Sequence, residues 1–547
     1  MSKWKNKTTR AKRFVCIAIA LMLVSMIGAS LIQSSGGRVT VDEVTWVDTD
    51  GIRKNALLLV PDNATAETPA PAIVTSHGFL NNKEMQDLNY VELARRGYVV
   101  LAIDMASHGD SQIAAGVGNM MPSVWQGVLF LSNINYVDTT RIGVTGHSFG
   151  GFSSNFAVTM DNAAGTNLIS AVLVNSMDPT YDSDSDGVFD NVYGNRDVGV
   201  IAGEYDEFGF NILDENGVKQ PKPDYIHSAE AQSFLYYGTD RGDLPERKAN
   251  VVYTEEIDGK EAMRVIYTHN IIHPWSHFSA RSTKDTIDFF EQALGAPNPI
   301  ASTNQIWQWK TVFNVVGIVG FVMFAINCAI ALLATPFFQS VSNVDAQVTL
   351  SAPEYKGKKW WFWLSLVIGA IAGAVLYLPI LLGTHSATYE RTFLNQAAVR
   401  GVTTWAMVCG IITIIILLIS NVINKQAPVD SVATGIKISP MKLWKTLLLA
   451  IVVVMASYAW VFIADYFFHV DFRIWVFAIK RFNPVFLFIA IPFMIMAAVF
   501  YIASSISVNC YNYRKIGGKE WTNTLILARF TVAAGVISRL RQGIYLY

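Results

Sequence analysis

Cysteine is scarce in this sequence: four in 547 residues, at Cys16, Cys328, Cys409 and Cys510. None falls between residues 38 and 300, so no disulfide framework staples that segment. There is no CxxC pair and no histidine cluster at zinc-ligand spacing, which removes a structural zinc module and a dithiol redox centre. No phosphate-cradling glycine loop and no internal repeat occurs. Acidic residues are scarce in one part of the chain. Residues 38–300 hold 36 Asp and Glu against 17 Lys and Arg, whereas the rest holds 7 against 25. The acidic segment reads as a water-soluble domain and argues against nucleic acid as a partner. The basic remainder reads as membrane with cationic loops.

Long apolar runs fill that remainder. Lys3, Lys5, Lys7, Arg10, Lys12 and Arg13 precede a run from Phe14 to Ile32. It is long enough to span a bilayer, and no clear small-residue cleavage site follows it. The expectation is an uncleaved signal anchor over residues 1–37 with its basic end inside. Five further spans are expected, roughly over 311–334, 360–382, 402–423, 447–468 and 485–508. None shows the polar face of a soluble-core helix. The loops carrying Lys356 to Lys359, Lys425 to Lys442 and Arg514 to Lys519 alternate as cytoplasmic. Trp307, Trp309, Trp360, Trp361 and Trp363 sit where interface anchors belong. A seventh stretch, 522–536, is short and contains Arg529. Asp465, near the outer end of the fifth span, reads as an interface-level residue.

The acidic segment alternates strand and helix. Apolar runs at 72–75, 98–104, 142–144, 171–175, 198–203 and 263–269 are separated by helical patterns or turns. Such alternation predicts a doubly wound, mostly parallel α/β sheet. One turn stands out. Arg141 to Phe152 reads RIGVTGHSFGGF, a strand, a sharp turn and a helix, with Ser148 at the tip and Gly146 and Gly150 two residues to either side. Glycine at those places removes Cβ atoms that would clash where strand and helix converge.

HGF at 77–79, DMASHGDS at 104–111, GHSFGG at 146–151, GEYD at 203–206 and the His277 region together resemble the α/β-hydrolase superfamily, in its serine-esterase and dienelactone-hydrolase-like branch. The resemblance covers about 39–294. It implies an α/β-hydrolase domain over 38–300; the apolar runs after it make 301–547 a transmembrane helical domain with five or six spans. It also implies a Ser-acid-His order along the chain. Ser148 is then the nucleophile. The acid is Asp206, just past a strand end, with Glu204 and Glu207 as rivals. The histidine is His277, immediately before a final helix over 279–294, with His273 as its rival. The oxyanion donors are the N–H groups of Phe149 and Phe79. His77 and Gly78 shape the Phe79 loop, His108 and His227 are structural, and His147 tunes packing. The stretch from Asp206 to His277 is long for the family. It contains a helical pattern at 229–237 and a hairpin-like stretch at 251–267, which are candidate lid elements.

Asp182 to Asp190, DSDSDGVFD, matches the first nine positions of a calcium loop through Asp182, Asp184, Asp186, Gly187 and Asp190. The twelfth position is Tyr193 rather than Glu. Ca²⁺ is the one cofactor these residues offer; the expected chemistry requires none.

The sequence thus points to a multi-pass membrane protein with an extracytoplasmic serine hydrolase domain. It would cleave an ester or related acyl bond in a small molecule, a lipid or a cell-envelope component. An acyltransferase using the same residues and a serine peptidase are the alternatives.

Overall fold

The computed structural model describes residues 2–114, 116–182, 187–206, 208–210, 222–342, 356–384, 393–423, 431–432, 435–512 and 521–530. The chain divides into two compact units. One comprises Arg13–Phe324 and Ser457–Arg481, the other Met1–Lys12, Ala325–Ala456 and Phe482–Tyr547.

The first unit is built on a nine-stranded sheet. In chain order its strands are β1 (Val39–Val47), β2 (Arg53–Pro61), β3 (Ala70–Ser76), β4 (Val99–Asp104), β5 (Val137–His147), β6 (Ile169–Asn175), β7 (Asp197–Tyr205), β8 (Tyr253–Ile257) and β9 (Lys260–Ile272). They lie in the order β1-β2-β4-β3-β5-β6-β7-β9-β8. The run from β4 to β9 is parallel. The β1–β2 pair at one edge and β8 at the other are antiparallel to their neighbours.

Every residue of β3 and β4 is buried, as expected of a parallel sheet covered on both faces. Alternate residues divide between two cores. Val74, Leu101, Val144 and Val200 face one side, which is covered by α3 (Ser123–Ser132) and α4 (Phe149–Ala164). Ile73, Val100, Leu173 and Ile201 face the other, beneath α2 (Asp87–Arg95) and α6 (Ala280–Leu294). The sequence-based expectation of a doubly wound, mostly parallel sheet holds.

The long stretch before His277 becomes α5 (Ala229–Leu235) and the β8–β9 hairpin. Ser228 caps α5, its Oγ accepting the Ala231 N–H at 3.1 Å. The hairpin is the edge of the sheet itself, so it is no lid. Strand β9 pairs with β7 as far as Ile272, opposite Tyr205.

Among the described residues, six helices are long and apolar enough to cross a membrane: Thr8–Gln33, Trp307–Leu333, Trp360–Thr384, Ala397–Ile423, Pro440–Phe468 and Pro484–Tyr511. They coincide with the six runs expected from sequence. Residues 521–530 are helical but are not among the six, and 531–536 lie outside the described residues. In the second unit, Trp361 Nε1 donates to Ser420 Oγ at 2.7 Å and Trp405 Nε1 to the Gly373 carbonyl at 2.8 Å. In the first unit, Asp465 is ion-paired with Arg481.

Candidate active site

Strand β5 ends at His147 and helix α4 begins at Phe149, which leaves Ser148 alone in the turn. Its backbone is at φ +55°, ψ −119°, where a non-glycine residue bears strain of order 1–3 kcal/mol. The turn is held in place by the Ser148 N–H, which donates to the Asn175 carbonyl at 2.8 Å. The two flanking glycines are dictated by space. A Cβ on Gly146 would lie 2.3 Å from the Gly150 carbonyl carbon, and one on Gly150 would lie 2.4 Å from the Ser76 oxygen. Ser148 is half-buried, so its hydroxyl remains within reach of solvent.

The acid and the imidazole come from the ends of β7 and β9. Asp206 is fully buried. One of its oxygens accepts the N–H groups of Phe208 (2.9 Å) and Gly209 (2.6 Å). His273 Nδ1 lies 2.8 Å from each Asp206 oxygen. Burial works against the charge on Asp206. The hydrogen bond and charge of His273, with the two N–H groups, overcome it and hold the carboxyl below the usual carboxylate range. The rival Glu204 is half-exposed and has no part in this pair, and Glu207 lies outside the described residues.

The expected pairing of Asp206 with His277 is therefore corrected: its partner is His273. Strand β9 runs on to Ile272, so the mouth of the sheet lies at residue 273. His277 comes four residues later, on a 3₁₀ turn (His273–Phe278), and is buried. It hydrogen-bonds backbone at Met85, and its ring packs 4.2 Å from that of His147. Burial, with His273 nearby, pushes its pKa down to about 4. His147 is also packed rather than poised. Its Nε2 lies 3.1 Å from the His273 carbonyl oxygen.

The HGF loop lies against the nucleophile. A Cβ on Gly78 would be 3.3 Å from the Ser148 Cβ. His77 organises this loop as a neutral ring, with Nδ1 donating to the Gly78 carbonyl (2.7 Å) and Nε2 accepting the Met105 N–H (3.1 Å). Burial lowers its pKa to about 4, which keeps Nε2 free to accept. His108 Nε2 accepts the Leu80 N–H at 3.0 Å. Among the described residues, the N–H groups of Phe79 and Phe149 donate to no protein acceptor.

Exposed aromatic side chains rim the site. Phe79 and Phe208 are 48% and 66% exposed. The Phe208 ring stands edge-on to His273 at 5.3 Å, and Phe79 lies 6.3 Å from Phe149. Phe208 was missed from sequence, although an aromatic residue two positions after the acid is a legible signal. In the acidic loop, the Gly187 N–H donates to Asp182 Oδ2 at 2.8 Å. Asp184 and Asp186 lie outside the described residues. Among the described residues no group of three or more His, Cys, Asp or Glu is placed to hold a metal.

Residues 50–201, which include the elbow, match the family model of the X-Pro dipeptidyl-peptidase (S15 family). The strand order, the elbow and this match decide the fold. The chain carries an α/β-hydrolase domain. A relative from Bacillus subtilis (strain 168), the uncharacterized peptidase YuxL, is 31% identical over 133 residues. That match covers 22% of this chain and 20% of the relative, so the chain spans only about a fifth of the relative's length. Three solved structures align with this domain. They are a bacterial heroin esterase (13% identity, TM-score 0.32, 47% of this chain and 85% of that one), the Pyrococcus furiosus esterase Pf2001 (15%, 0.32, 48% and 96%) and a prolyl endopeptidase (14%, 0.33, 48% and 39%).

Proposed function

We propose that the chain is a multi-pass membrane serine hydrolase that cleaves an ester or related acyl bond. The observation that carries this reading is the His273–Asp206 pair, 2.8 Å apart, at the same sheet mouth as the strained Ser148. Ser148 Oγ attacks the acyl carbonyl while its proton passes to His273 Nε2. Asp206 holds the ring through Nδ1 and stabilises the imidazolium. The tetrahedral oxygen takes its negative charge next to the Phe79 and Phe149 N–H groups. The C–O bond to the leaving group breaks, and His273 returns the proton to the departing oxygen. Water then enters by the same route, with His273 as base, and frees the acid and Ser148.

The aromatic rim favours an apolar acyl group, as found in a lipid-borne or cell-envelope substrate. The net negative domain and the basic ends of the spans support an extracytoplasmic position for the domain at the cell membrane. A fluorophosphonate probe on the purified full chain tests the nucleophile. Labelling is expected in the wild type and absent in Ser148→Ala; labelling that survives that substitution refutes the assignment.

A serine peptidase is the second reading, favoured by the match of residues 50–201 to the X-Pro dipeptidyl-peptidase model. Parallel assays with p-nitrophenyl esters of short and long chain and with Xaa-Pro p-nitroanilides separate the two. Turnover of the anilides alone would overturn the ester reading. Product transferred to an added alcohol in preference to water would make the enzyme an acyltransferase.

A further inference from the structure

The loop joining the helices Pro440–Phe468 and Pro484–Ile506 forms a short hairpin of β10 (Phe472–Ile474) and β11 (Phe477–Ile479). It belongs to the same compact unit as the hydrolase sheet. The hairpin is rich in buried charge. Arg473 and Asp471 are each 4% exposed and paired with one another. Arg473 Nη1 donates to Asn82 Oδ1 at 3.2 Å, and its Nη2 lies 3.5 Å from Glu84 Oε2. Lys480, just after β11, places its ammonium 2.7 Å from Glu84 and 2.8 Å from Asp110.

These partners are not scattered. Asn82 and Glu84 lie on the segment that continues the oxyanion loop, three and five residues after Phe79. That segment is fixed from its other side by Lys83. The Lys83 N–H donates to Asp104 Oδ1 at 2.7 Å, and its ammonium lies 2.9 Å from Asp104 Oδ2 and 3.2 Å from Asp110. Without the hairpin, the buried Glu84, Asp104 and Asp110 would have one buried cation, Lys83, among the three of them. Unpaired buried charge is strongly unfavourable, so the segment would have to open or take up protons. The hairpin tip reaches the histidine side as well. Trp475 sits at φ +54°, a strained position for its type, and its ring lies 6.5 Å from Phe278, the last residue of the turn that begins at His273. Met85, next to Glu84, is the backbone partner of His277.

We propose that Arg473 and Lys480, carried by a loop between two membrane-crossing helices, are positioning residues for the oxyanion loop. The idea rests on the serine hydrolase reading above. It explains why a domain that one span could anchor is followed by several. The oxyanion donors matter in the transition state far more than in the ground state, so loosening their support should lower kcat and leave KM nearly unchanged.

The test uses the full chain in detergent or nanodiscs, with p-nitrophenyl ester turnover, probe-labelling rate and thermal midpoint measured together. Arg473→Gln and Lys480→Met should each lower kcat by about tenfold to a hundredfold, less than the full loss of one oxyanion donor, with KM within about twofold. Arg473→Lys keeps a charge beside Glu84 but loses the fork that also reaches Asn82, and should fall between Gln and wild type. Asn82→Ala removes only the link to the loop and leaves every buried ion pair in place. It decides the matter if Arg473→Gln fails to fold, and it should show the same drop in kcat at an unchanged midpoint. Wild-type kcat in Asn82→Ala, or a loss that falls on KM, overturns the proposal. If Ser148→Ala still labels, the serine reading fails and this inference falls with it. If labelling needs Ser148 and these variants label at the wild-type rate, only the positioning role fails.

Discussion

His273 Nδ1 lies 2.8 Å from both oxygens of Asp206, whereas His277 hydrogen-bonds backbone at Met85 and packs at a tilt against His147. The two histidines therefore separate by experiment. His273→Gln should lower turnover by about six orders of magnitude and remove probe labelling, the scale set by losing the base of such a triad. His277→Gln should keep labelling within about tenfold. It removes a buried hydrogen bond of about 1–3 kcal/mol, so its effect appears as a fall of several degrees in thermal midpoint. Labelling that survives in the first variant and vanishes in the second would reverse the assignment.

Asp206→Asn tests the orienting carboxylate. With the amide oxygen kept by the Phe208 and Gly209 N–H groups, the new NH2 faces Nδ1, favours the wrong tautomer and cannot stabilise the charged ring, so kcat should drop by about 10⁴-fold. The fold should remain, because the Phe208 and Gly209 N–H groups can still be accepted by the amide oxygen. A kcat within tenfold of wild type would show that another acid serves.

Much of this was legible in the sequence, for physical reasons. The elbow was readable because Gly146 and Gly150 have backbone atoms about 2.3–2.4 Å from where their Cβ atoms would be, and no other residue fits. The alternating apolar strands were readable because parallel strands buried on both faces have no polar side to disguise them. The six apolar runs were readable because a bilayer tolerates little else. The choice between His273 and His277 was not readable. It depends on where β9 stops, and its pairing with Tyr205 of β7 decides that. The Arg473–Glu84 contact was also beyond reach, since it joins residues 389 apart in a loop that reads only as basic.

Acid should unfold the domain over a defined window. Burial first, then neighbouring imidazoles, holds His77 and His277 at about 4 and His147 well below its ordinary value. His77 faces His108, Asp104 and Glu84, while His147 and His277 face one another and His273. The unfolded chain protonates all three near pH 6.5, whereas the folded chain keeps His77 and His277 neutral until about pH 4 and holds His147 neutral well below its ordinary range. Stability is therefore lost as pH falls through that window, by about 1.4 kcal/mol per pH unit for each group. Chemical-denaturation midpoints at pH 7.5, 6, 5 and 4.5 should decline steadily. His77→Gln keeps a donor and an acceptor but cannot titrate, and should flatten the curve. A midpoint that does not move between pH 7 and pH 5 would contradict the neutral buried rings.

The aromatic rim makes a prediction about substrate length. Phe208 is 66% exposed and stands edge-on to His273, so its ring covers the approach to the imidazole without filling the core. An acyl chain entering the site would shield this face from water. Burying an aromatic side chain is worth about 1.5–3 kcal/mol when complete, and a rim contact secures part of that. Phe208→Ala should therefore lower kcat/KM for long-chain p-nitrophenyl esters by about fivefold to thirtyfold while leaving acetate and butyrate esters within about twofold. The thermal midpoint should hardly change, because the ring is largely solvated in the free enzyme. Equal losses on short and long chains would mean that Phe208 acts through the His273 ring rather than on the acyl group. An unchanged profile would remove the rim from substrate selection altogether.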